Sequence, residues 1–520
     1  MSILIPTAQG ADSLHRDALT VLQPGFVGTT PPDWLRRHLA AGLGSVALFA
    51  RNVTDQRQLS ALTAALREEN PDILVAIDEE GGDVTRLEAG SGSSWPGNLA
   101  LGAIDDPALT RDVARELGRA LAACGVNYNW APSADVNSNP GNPVIGVRSF
   151  GADPELCARH TAAWVEGLQS AAVAACAKHF PGHGDTAVDS HLGLPVVDAD
   201  VDLLHSRDLV PFKAAIQAGA KAVMTAHIVV PALDTDHPAT LSRAVLHDLL
   251  RARPEDGGLG YDGLIVTDGI EMGAIADTYG TAEGTVLALA AGADAICVGG
   301  GLADEETVLH LQGAIVAAVR AGRIPEQRLA EAADRVRRLG AWARDGGADA
   351  GADRTEPDLA IGLRAARRAL RVVRAPGQYC PPVTERPYVA SFSPVANIAV
   401  GAETPWGVAG MLAARFPGTR AESFGPADAA PERLPALVAA VLAAAEDRRI
   451  VLVVRDVHRH AWMAAALEGL LAARPDAIVV EMGVPQAQPV GALHIATHGA
   501  ARVCGLAAVE VLTGQPPALG

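Results

Sequence analysis

The chain has 520 residues, a formal net charge of −18 at pH 7 and 49% hydrophobic residues. This length is enough for two or three domains, and the apolar fraction allows each of them to bury a core. The negative charge argues against nucleic acids and anionic membrane surfaces as partners.

The six cysteines and the N-terminal residues bear on the cellular compartment. No two cysteines form a CxxC pair, so we expect neither a zinc site nor a disulfide framework. Cys176 and Cys297 lie in apolar, strand-like runs, which predicts small core residues. The first residues contain no basic segment and no long apolar run, so no signal peptide is expected. No stretch of ~18 apolar residues without charge or proline predicts a membrane span. We therefore expect a cytoplasmic protein.

Short apolar runs alternate with helical segments such as Asp106–Ala123 and Glu155–Gln169 over the first two thirds of the chain. The predicted strands, in chain order, are Thr20–Leu22, Ser45–Phe49, Ile73–Ile77, Val126–Trp130, Ala174–Ala177, Ala222–Thr225, Leu264–Thr267 and Ala295–Val298. Eight strand–helix units predict a (β/α)8 barrel of the TIM type. An open doubly wound sheet is the main alternative, but the lack of a GxGxxG phosphate loop favours the closed barrel.

The remaining third of the chain predicts a smaller α/β domain with a doubly wound sheet. The segment Asp345–Pro357 is rich in Gly, Ala and Asp and is typical of a linker. The predicted division is therefore a barrel over 1–344, a linker over 345–357 and an α/β domain over 358–520. Its predicted elements are the helix Ala360–Val373, the strands Ile398–Val400, Ile450–Val454 and Ala477–Glu481, and the helix Ala461–Ala473.

Polar side chains follow several predicted barrel strands at the point where each strand ends. Asp78 follows Ile77, Lys178 and His179 follow Ala177, His227 comes two residues after Thr225, and Asp268 follows Thr267. Barrel enzymes place their chemistry at the carboxyl ends of the strands. We therefore expect these side chains to form the site.

The densest group is the segment 178–191, KHFPGHGDTAVDSH, in which Pro181 and two glycines predict a loop. Besides a catalytic role, this segment has two alternative explanations. The first is a metal site, although a flexible loop holds metal ligands poorly, and the second is that the histidines only stabilise the loop. Asp189 and His191 also suit proton transfer, because a carboxylate that holds one ring nitrogen fixes the tautomer and raises the basicity of the other. Asp268, followed by a glycine that allows close approach, is a candidate nucleophile towards an anomeric carbon.

Together these segments resemble glycoside hydrolase family 3, and most of all its β-N-acetylglucosaminidase branch. The resemblance covers the whole predicted barrel, with lower specificity in the second domain. The motifs that carry it are IDEEGGDVTRL (Ile77–Leu87), VIGVRSFG (Val144–Gly151), AKHFPGHGDTAVDSHLGLP (Ala177–Pro195), VMTAHIVVPALD (Val223–Asp234), PATLS (Pro238–Ser242) and LIVTDGIEMGAI (Leu264–Ile275).

The resemblance implies a retaining, exo-acting hydrolase that releases terminal β-linked N-acetylglucosamine. Asp268 would form the covalent glycosyl-enzyme, and His191, held by Asp189, would act as acid and then as base. The resemblance also implies substrate-binding roles, with hydroxyl contacts from Asp78, Arg148, Lys178 and His179, and support of the site by Arg86. It implies no metal and no cofactor, and substrates from recovered cell-wall fragments (peptidoglycan turnover) or chitin-derived oligosaccharides.

Two other activities stay open at this point. A neutral histidine does not repel phosphate as a carboxylate would, so phosphorolysis is an alternative to hydrolysis. In the β-glucosidase branch the acid is a glutamate of the second domain, and Glu481, at a predicted strand end, is the candidate here. We expect Glu481 to be structural because the DSH loop already supplies an acid, and we expect His458 and His460 to cap or pack rather than bind a ligand. A sugar-binding protein without catalysis is the third alternative, which Asp268 and the Asp189–His191 pair argue against.

Overall fold

The computed structural model describes residues 8–190, 193–302, 304–350, 356–377, 379–395, 400 and 404–515. The chain divides into two compact units. The first contains 1–79, 110–143 and 152–357, and the second contains 80–109, 144–151 and 358–520. The predicted domain boundaries, 1–344, 345–357 and 358–520, stay a prediction. Two short segments of the predicted barrel sequence, 80–109 and 144–151, belong to the second compact unit.

Eight short parallel strands form the sheet of the first unit, one for each strand that the sequence predicts. They are β1 (Leu22–Pro24), β2 (Ser45–Leu48), β3 (Leu74–Ile77), β4 (Tyr128–Asn129), β5 (Ala174–Phe180), β6 (Ala222–Thr225), β7 (Leu264–Val266) and β8 (Ile296–Val298). Six of them pair in the order β2-β3-β4-β5-β6-β7, and β1 pairs with β8. A bridge between Val266 and Ala295 continues the sheet from β7 towards β8, and the Ser45 hydroxyl donates to Leu22 O across β1 and β2. The unit is a TIM-type barrel, as predicted.

Helices connect these strands, and several begin at an aspartate whose carboxylate accepts a backbone N–H. Asp55, Asp153 and Asp304 cap the helices Gln56–Glu69, Pro154–Ser170 and Glu305–Arg320 in this way. In chain order the α-helices of both units are α1 (Ala8–Thr20), α2 (Asp33–Ala41), α3 (Gln56–Glu69), α4 (Asn98–Ile104), α5 (Pro107–Ala123), α6 (Pro154–Ser170), α7 (Val201–Leu203), α8 (Val210–Gln217), α9 (Gly273–Ala276), α10 (Thr281–Ala291), α11 (Glu305–Arg320), α12 (Glu326–Ala350), α13 (Ala360–Ala369), α14 (Ala409–Arg415), α15 (Leu434–Ala445), α16 (Ala461–Ala473) and α17 (Arg502–Leu512).

The barrel interior is filled by alternate residues of its strands, because successive side chains of a strand point to opposite faces. The cluster contains Leu74 and Ala76, Ala174 and Cys176, Ala222 and Met224, Leu264 and Val266, and Ala295 and Cys297. Cys176 and Cys297 are therefore core residues, as the apolar runs predict. The interior is a packed core, which leaves the chemistry to residues at and beyond the strand ends.

The second unit contains a six-stranded sheet with the strands β9 (Arg371–Arg374), β10 (Tyr388–Phe392), β11 (Arg420–Phe424), β12 (Ile450–Val454), β13 (Ile478–Glu481) and β14 (Leu493–Ala496). Their order in the sheet is β11-β10-β12-β13-β14-β9. All neighbours are parallel except β9, which pairs antiparallel with β14 at the edge. Side chains of α17 and α13 pack on one face and those of α15 and α16 on the other. This is the predicted doubly wound α/β arrangement.

The segment 80–109 is joined to the C-terminal residues by buried polar contacts within the second unit. Asp83 forms an ion pair with Arg455, which follows β12, and accepts the Ala500 N–H at 2.7 Å. Arg502 at the start of α17 donates to Glu88 at 3.1 Å. These pairings are between distant positions of the chain, so no local pattern predicts them.

Three local predictions for the C-terminal third need correction or fall elsewhere. The helix predicted over Ala360–Val373 ends at Ala369, and residues 371–374 form the edge strand β9, because Val372 and Val373 favour an extended backbone that β14 can pair. The first six residues of the predicted linker, 345–350, continue α12, where Arg344 pairs with Asp345. The predicted strand Ile398–Val400 lies, apart from Val400, outside the described residues.

Candidate active site

The carboxyl ends of β3, β5, β6 and β7 supply the polar side chains of the first unit's candidate site. Lys178 donates to Asp78 with 2.5 Å between Nζ and Oδ1. The Lys178 residue is 2% exposed, whereas Asp78 is half-buried. An ammonium and a carboxylate held together in this way offer both donors and acceptors, which is the combination that a sugar hydroxyl requires.

His179 is held by a buried carboxylate that the sequence analysis did not identify. Its Nδ1 lies 2.7 Å from Asp135 Oδ2, and its backbone N–H donates to Asp135 Oδ1 at 3.2 Å. The Ser133 hydroxyl also donates to this carboxylate, at 2.9 Å. Burial by itself would raise the pKa of Asp135, but the charges and hydrogen bonds of His179 and His183 outweigh it and hold the pKa below its ordinary value. Asp135 therefore orients the His179 ring. Its only signal in the sequence is its position shortly after the β4 strand.

The loop after β5 turns back sharply, which explains two of its glycines. A Cβ on Gly184 would lie 1.7 Å from Val136 O, so no other residue fits there without a rearrangement. Gly182 has a φ of +134°, a conformation that side chains rarely adopt. Asp185, which lies in the first half of the loop, forms an ion pair with Arg207 at 2.9 Å. The first half of the loop is therefore closely packed.

The predicted acid/base pair lies in the second half of this loop. Asp189 is partly buried, and its carbonyl oxygen accepts the Gly193 N–H at 3.1 Å. His191 lies outside the described residues, so its role stays a prediction from the DSH motif.

Asp268 comes two residues after the end of β7 and is half-buried. Its Oδ1 accepts the N–H of Gly269 at 2.8 Å, and Gly269 O lies 2.9 Å from Nε2 of the fully buried His227. A carbonyl oxygen only accepts, so His227 donates from Nε2. The backbone is further held by Ile270, whose N–H donates to Cys297 O at 3.0 Å. The candidate nucleophile is therefore carried by a rigid strand end.

Arg148 and Arg86, the two arginines expected to serve the site, belong to the second unit. Arg148 is 7% exposed and forms a bidentate pair with Glu80, at 3.0 Å from Nε and 2.7 Å from Nη2. Arg148 O accepts from the Asn98 side chain at 2.7 Å. Arg86 Nη1 lies 3.4 Å from Thr85 O. Glu80 thus sets the plane of the Arg148 guanidinium, a pairing that the sequence analysis missed.

Glu481 lies at the carboxyl end of β13 and is 1% exposed. Its Oε1 accepts the N–H groups of Asp456 and Gly483, both at 2.9 Å, while Oε2 is buried and has no hydrogen-bond partner among the described residues. Burial, followed by the charge of Asp456, raises the pKa of Glu481 from 4.5 to about 7. These contacts connect two strand ends of the second unit, and a structural role for Glu481 stays a prediction.

Two further properties concern ligands and membranes. Within the described ranges, no group of three or more His, Cys, Asp or Glu side chains is arranged to hold a metal ion. Nor does any described helix combine the length and the apolar character needed to cross a membrane.

Comparisons with known proteins agree on one family. Residues 31–339 match the family model described as the N-terminal domain of glycosyl hydrolase family 3. Beta-hexosaminidase A of Pseudoalteromonas piscicida is 39% identical over 287 residues, which are 51% of this chain and 47% of that protein. The chain thus spans about half the length of that relative. Beta-hexosaminidase of Xylella fastidiosa (strain M23) is 37% identical over 285 residues, which cover 53% of this chain and 82% of the relative.

Among solved structures, a glycoside hydrolase family 3 β-N-acetylglucosaminidase from a Paenibacillus strain is similar over both units. It is 35% identical, has a TM-score of 0.84 and covers 98% of each chain. Because the family model matches more than half of the residues, and because a structure of this family aligns over nearly the whole length, the chain belongs to glycosyl hydrolase family 3.

Proposed function

We propose that this protein is a retaining, exo-acting glycoside hydrolase that releases terminal β-linked N-acetylglucosamine. The observation that carries the proposal is the half-buried carboxylate of Asp268 at the end of β7, on a backbone held by its neighbours. A rigidly placed carboxylate can attack the anomeric carbon and form a covalent glycosyl-enzyme, because little freedom remains to be lost on the way to the transition state. This chemistry needs no cofactor.

The sugar-binding part of the proposal rests on the paired charges of Asp78 and Lys178 and on the oriented ring of His179. Buried donors and acceptors at strand ends select a ligand with hydroxyls in matching positions, since an unmatched polar group would lose its hydrogen bonds. Arg148, whose guanidinium is held in a fixed plane by its pair with Glu80, is proposed to bind further hydroxyls of the sugar. Arg86 is proposed to support the site.

The acid/base part rests on the sequence Asp189-Ser190-His191. His191 protonates the departing oxygen and then accepts a proton from the incoming water, while Asp189 orients the imidazole and stabilises its charged form. A histidine–aspartate pair thus replaces the second carboxylate that retaining glycosidases use elsewhere.

The choice of an N-acetylated substrate is supported by the relatives. Those described above are named beta-hexosaminidase or β-N-acetylglucosaminidase. We extend this to fragments of recovered cell wall or chitin as natural substrates, and to the cytoplasm as the location.

The proposal is tested by trapping the glycosyl-enzyme with a fluorinated N-acetylglucosaminide that reacts slowly. Mass spectrometry of the digested protein is expected to find the sugar on Asp268, and Asp268→Ala is expected to abolish both labelling and turnover while the circular dichroism spectrum is retained. Labelling of another residue, or turnover near the wild-type rate in the variant, would remove Asp268 from the mechanism.

A parallel assay distinguishes water from phosphate as the acceptor. The products released from an aryl N-acetylglucosaminide are compared with and without inorganic phosphate. Free N-acetylglucosamine under both conditions supports hydrolysis, whereas a sugar 1-phosphate that replaces it would make the protein a phosphorylase with the same nucleophile.

A further inference from the structure

Two of the six motifs, VMTAHIVVPALD and PATLS, contain no residue with a role in the proposed function. The structure brings them together in a chain of buried polar side chains. Thr225 Oγ1 lies 2.7 Å from Thr240 Oγ1, which lies 2.8 Å from Nδ1 of His227. All three residues are 0% exposed. Nε2 of His227 then donates to Gly269 O at 2.9 Å, so the chain ends on the residue that follows Asp268.

We propose that His227 is a positioning residue for the nucleophile Asp268, and that it acts by holding the carbonyl group of Gly269. In this arrangement the hydroxyls of Thr240 and Thr225 orient the ring. The inference rests on the proposed function, because it concerns how the nucleophile is held and not whether Asp268 is the nucleophile.

The ring of His227 is held by a turn that packs against the end of β6. Thr240 lies in the short 3-10 turn Ala239–Leu241, whose first N–H donates to Ile228 O at 2.7 Å. The Thr240 hydroxyl also lies 2.9 Å from Ala226 O. The backbone on both sides of His227 thus contacts the turn that carries Thr240. The position of the ring is therefore set by the body of the barrel.

The positions of the hydrogens follow from what each partner can accept. Gly269 O only accepts, so Nε2 of His227 carries a hydrogen. In a neutral imidazole Nδ1 is then the acceptor, and the hydroxyl of Thr240 faces it. Thr240 has a single hydrogen, which Nδ1 and Ala226 O share as a three-centre bond, and Thr225 donates to Thr240. One tautomer therefore satisfies the whole chain without placing a charge in the interior.

The bond from His227 matters because the residue next to Asp268 is a glycine. Glycine has more conformational freedom than any other residue, so hydrogen bonds and not a side chain must fix its backbone. The N–H of Gly269 donates to Asp268 Oδ1 at 2.8 Å, and its carbonyl oxygen accepts from His227. A turn of Gly269 away from the ring would also shift its N–H and the carboxylate oxygen bound to it. His227 thus restrains the orientation of the nucleophile through one intervening residue.

Other hydrogen bonds attach the same segment to the neighbouring strand. Thr267 and Ile270 donate their N–H groups, at 3.0 Å each, to carbonyl oxygens in or next to β8. His227 holds the segment from the opposite side, at the end of β6. When the bond to Gly269 is lost, the attachments to β8 persist, so we expect a displaced nucleophile in a folded barrel. A displacement of about 1 Å can cost on the order of 100-fold in rate.

A displaced nucleophile should slow covalent attack without weakening the binding of the sugar. Loss of the bond should lower kcat, and the rate constant for labelling by the fluorinated N-acetylglucosaminide, about 10–100-fold. KM and the dissociation constant of the reagent should stay within about threefold of the wild-type values. A residue that only stabilises the fold would not separate the rate constant from binding in this way.

The test compares His227→Gln with His227→Met. Both new side chains are unbranched and similar in size, but only the glutamine amide can donate a hydrogen bond to Gly269 O. His227→Met should lower the labelling rate constant about 10–100-fold, whereas His227→Gln should retain it to within about fivefold. Thr240→Val keeps His227 and removes the hydroxyl that orients the ring, so it should show the pattern of His227→Met more weakly. The double variant should lose no more than His227→Met, because both changes act on one bond.

The matched control is Thr161→Val. It removes a hydroxyl that is fully buried in the same unit and has no hydrogen-bond partner among the described residues. The control should label at the wild-type rate. Equal labelling rates in His227→Met and His227→Gln would overturn the proposal, and so would an effect on the dissociation constant instead of the rate. If both His227 variants fail to fold, Thr240→Val decides, because an unchanged rate there would also overturn it.

Labelling of the wild type separates this proposal from the proposed function. If the reagent attaches to a residue other than Asp268, the proposed nucleophile is wrong, and the positioning role of His227 is lost with it. If the reagent attaches to Asp268 and His227→Met reacts at the wild-type rate, only the positioning role is wrong.

Discussion

Replacement of Glu481 by glutamine should stabilise the protein at alkaline pH and leave its catalysis intact. The wild-type carboxyl is 1% exposed, and within the described part of the chain one of its oxygens has no hydrogen-bond partner. Glutamine keeps the oxygen that accepts the N–H groups of Asp456 and Gly483, and it cannot ionise. The substitution therefore removes a buried charge and retains the contacts between the strand ends.

The size of the effect follows from the raised pKa. In the folded protein the carboxyl binds its proton up to about pH 7, whereas its ordinary pKa is 4.5. The folded state thus holds more protons than the unfolded state between these values, so its stability falls as the pH rises through this window. Each pKa unit corresponds to about 1.4 kcal/mol, so the penalty of wild-type Glu481 increases by roughly 2–3 kcal/mol between pH 5 and pH 8. Glutamine should be close to neutral at pH 5 and stabilising by about that amount at pH 8.

The assay is urea unfolding of the wild type and the variant at both pH values, followed by circular dichroism. Other groups titrate in the same range, so the informative quantity is the difference between the two proteins at each pH. Glu468→Gln, which changes an exposed carboxylate on α16, is the control and should show no such pH dependence. An equal effect of Glu481→Gln at pH 5 and pH 8 would refute the reasoning. A loss of more than about 100-fold in kcat/KM would instead make Glu481 the general acid.

Three further predictions concern the acid/base pair, the substrate and the barrel. His191→Ala should lose ~10²–10⁴-fold more activity on a natural disaccharide than on a nitrophenyl glycoside, and Asp189→Ala should show the same pattern more weakly; equal losses on the two substrates would assign the proton to another group. The wild type should have a higher kcat/KM for the nitrophenyl N-acetylglucosaminide than for the nitrophenyl glucoside, and the reverse order would favour a β-glucosidase. Asp294 is fully buried and accepts from Arg251 and Arg328 at 2.6 Å each. Asp294→Ala should therefore lower the free energy of unfolding by about 3–5 kcal/mol in a urea titration. A change below about 1 kcal/mol would contradict the view that these buried ion pairs are needed for stability.

Sequence patterns predicted the barrel well because its strands are short apolar runs with no competing signal. All eight predicted strands overlap strands of the structure, and the range of β6 is identical. The pattern was less reliable in the C-terminal third. There β11, Arg420–Phe424, is mostly exposed and polar, so it lacks the apolar run that marks a buried strand. The edge strand β9 was absorbed into a predicted helix for the same reason, since all four of its residues are exposed.

For the site, strand ends located Asp78, Lys178, His179 and Asp268, because the carboxyl ends of parallel strands meet at one end of a barrel. The sequence did not show which groups hold these side chains. Asp135 is one such group, and a single aspartate in a loop has no distinguishing neighbours until the fold brings His179 and His183 to it.

Local residue order was therefore sufficient to predict the barrel and the doubly wound sheet and to nominate candidate reactive groups, because these depend on periodicity and on motifs a few residues long. The tertiary structure alone decided the pairings: Glu80 with Arg148, Asp83 with Arg455, and Ser190 with His183. It also decided that 80–109 and 144–151 belong to the second compact unit. Contacts of this kind join residues that are far apart in the sequence, and burial strengthens them by excluding water. A local sequence pattern therefore predicts neither the partner of such a residue nor the energy of the contact.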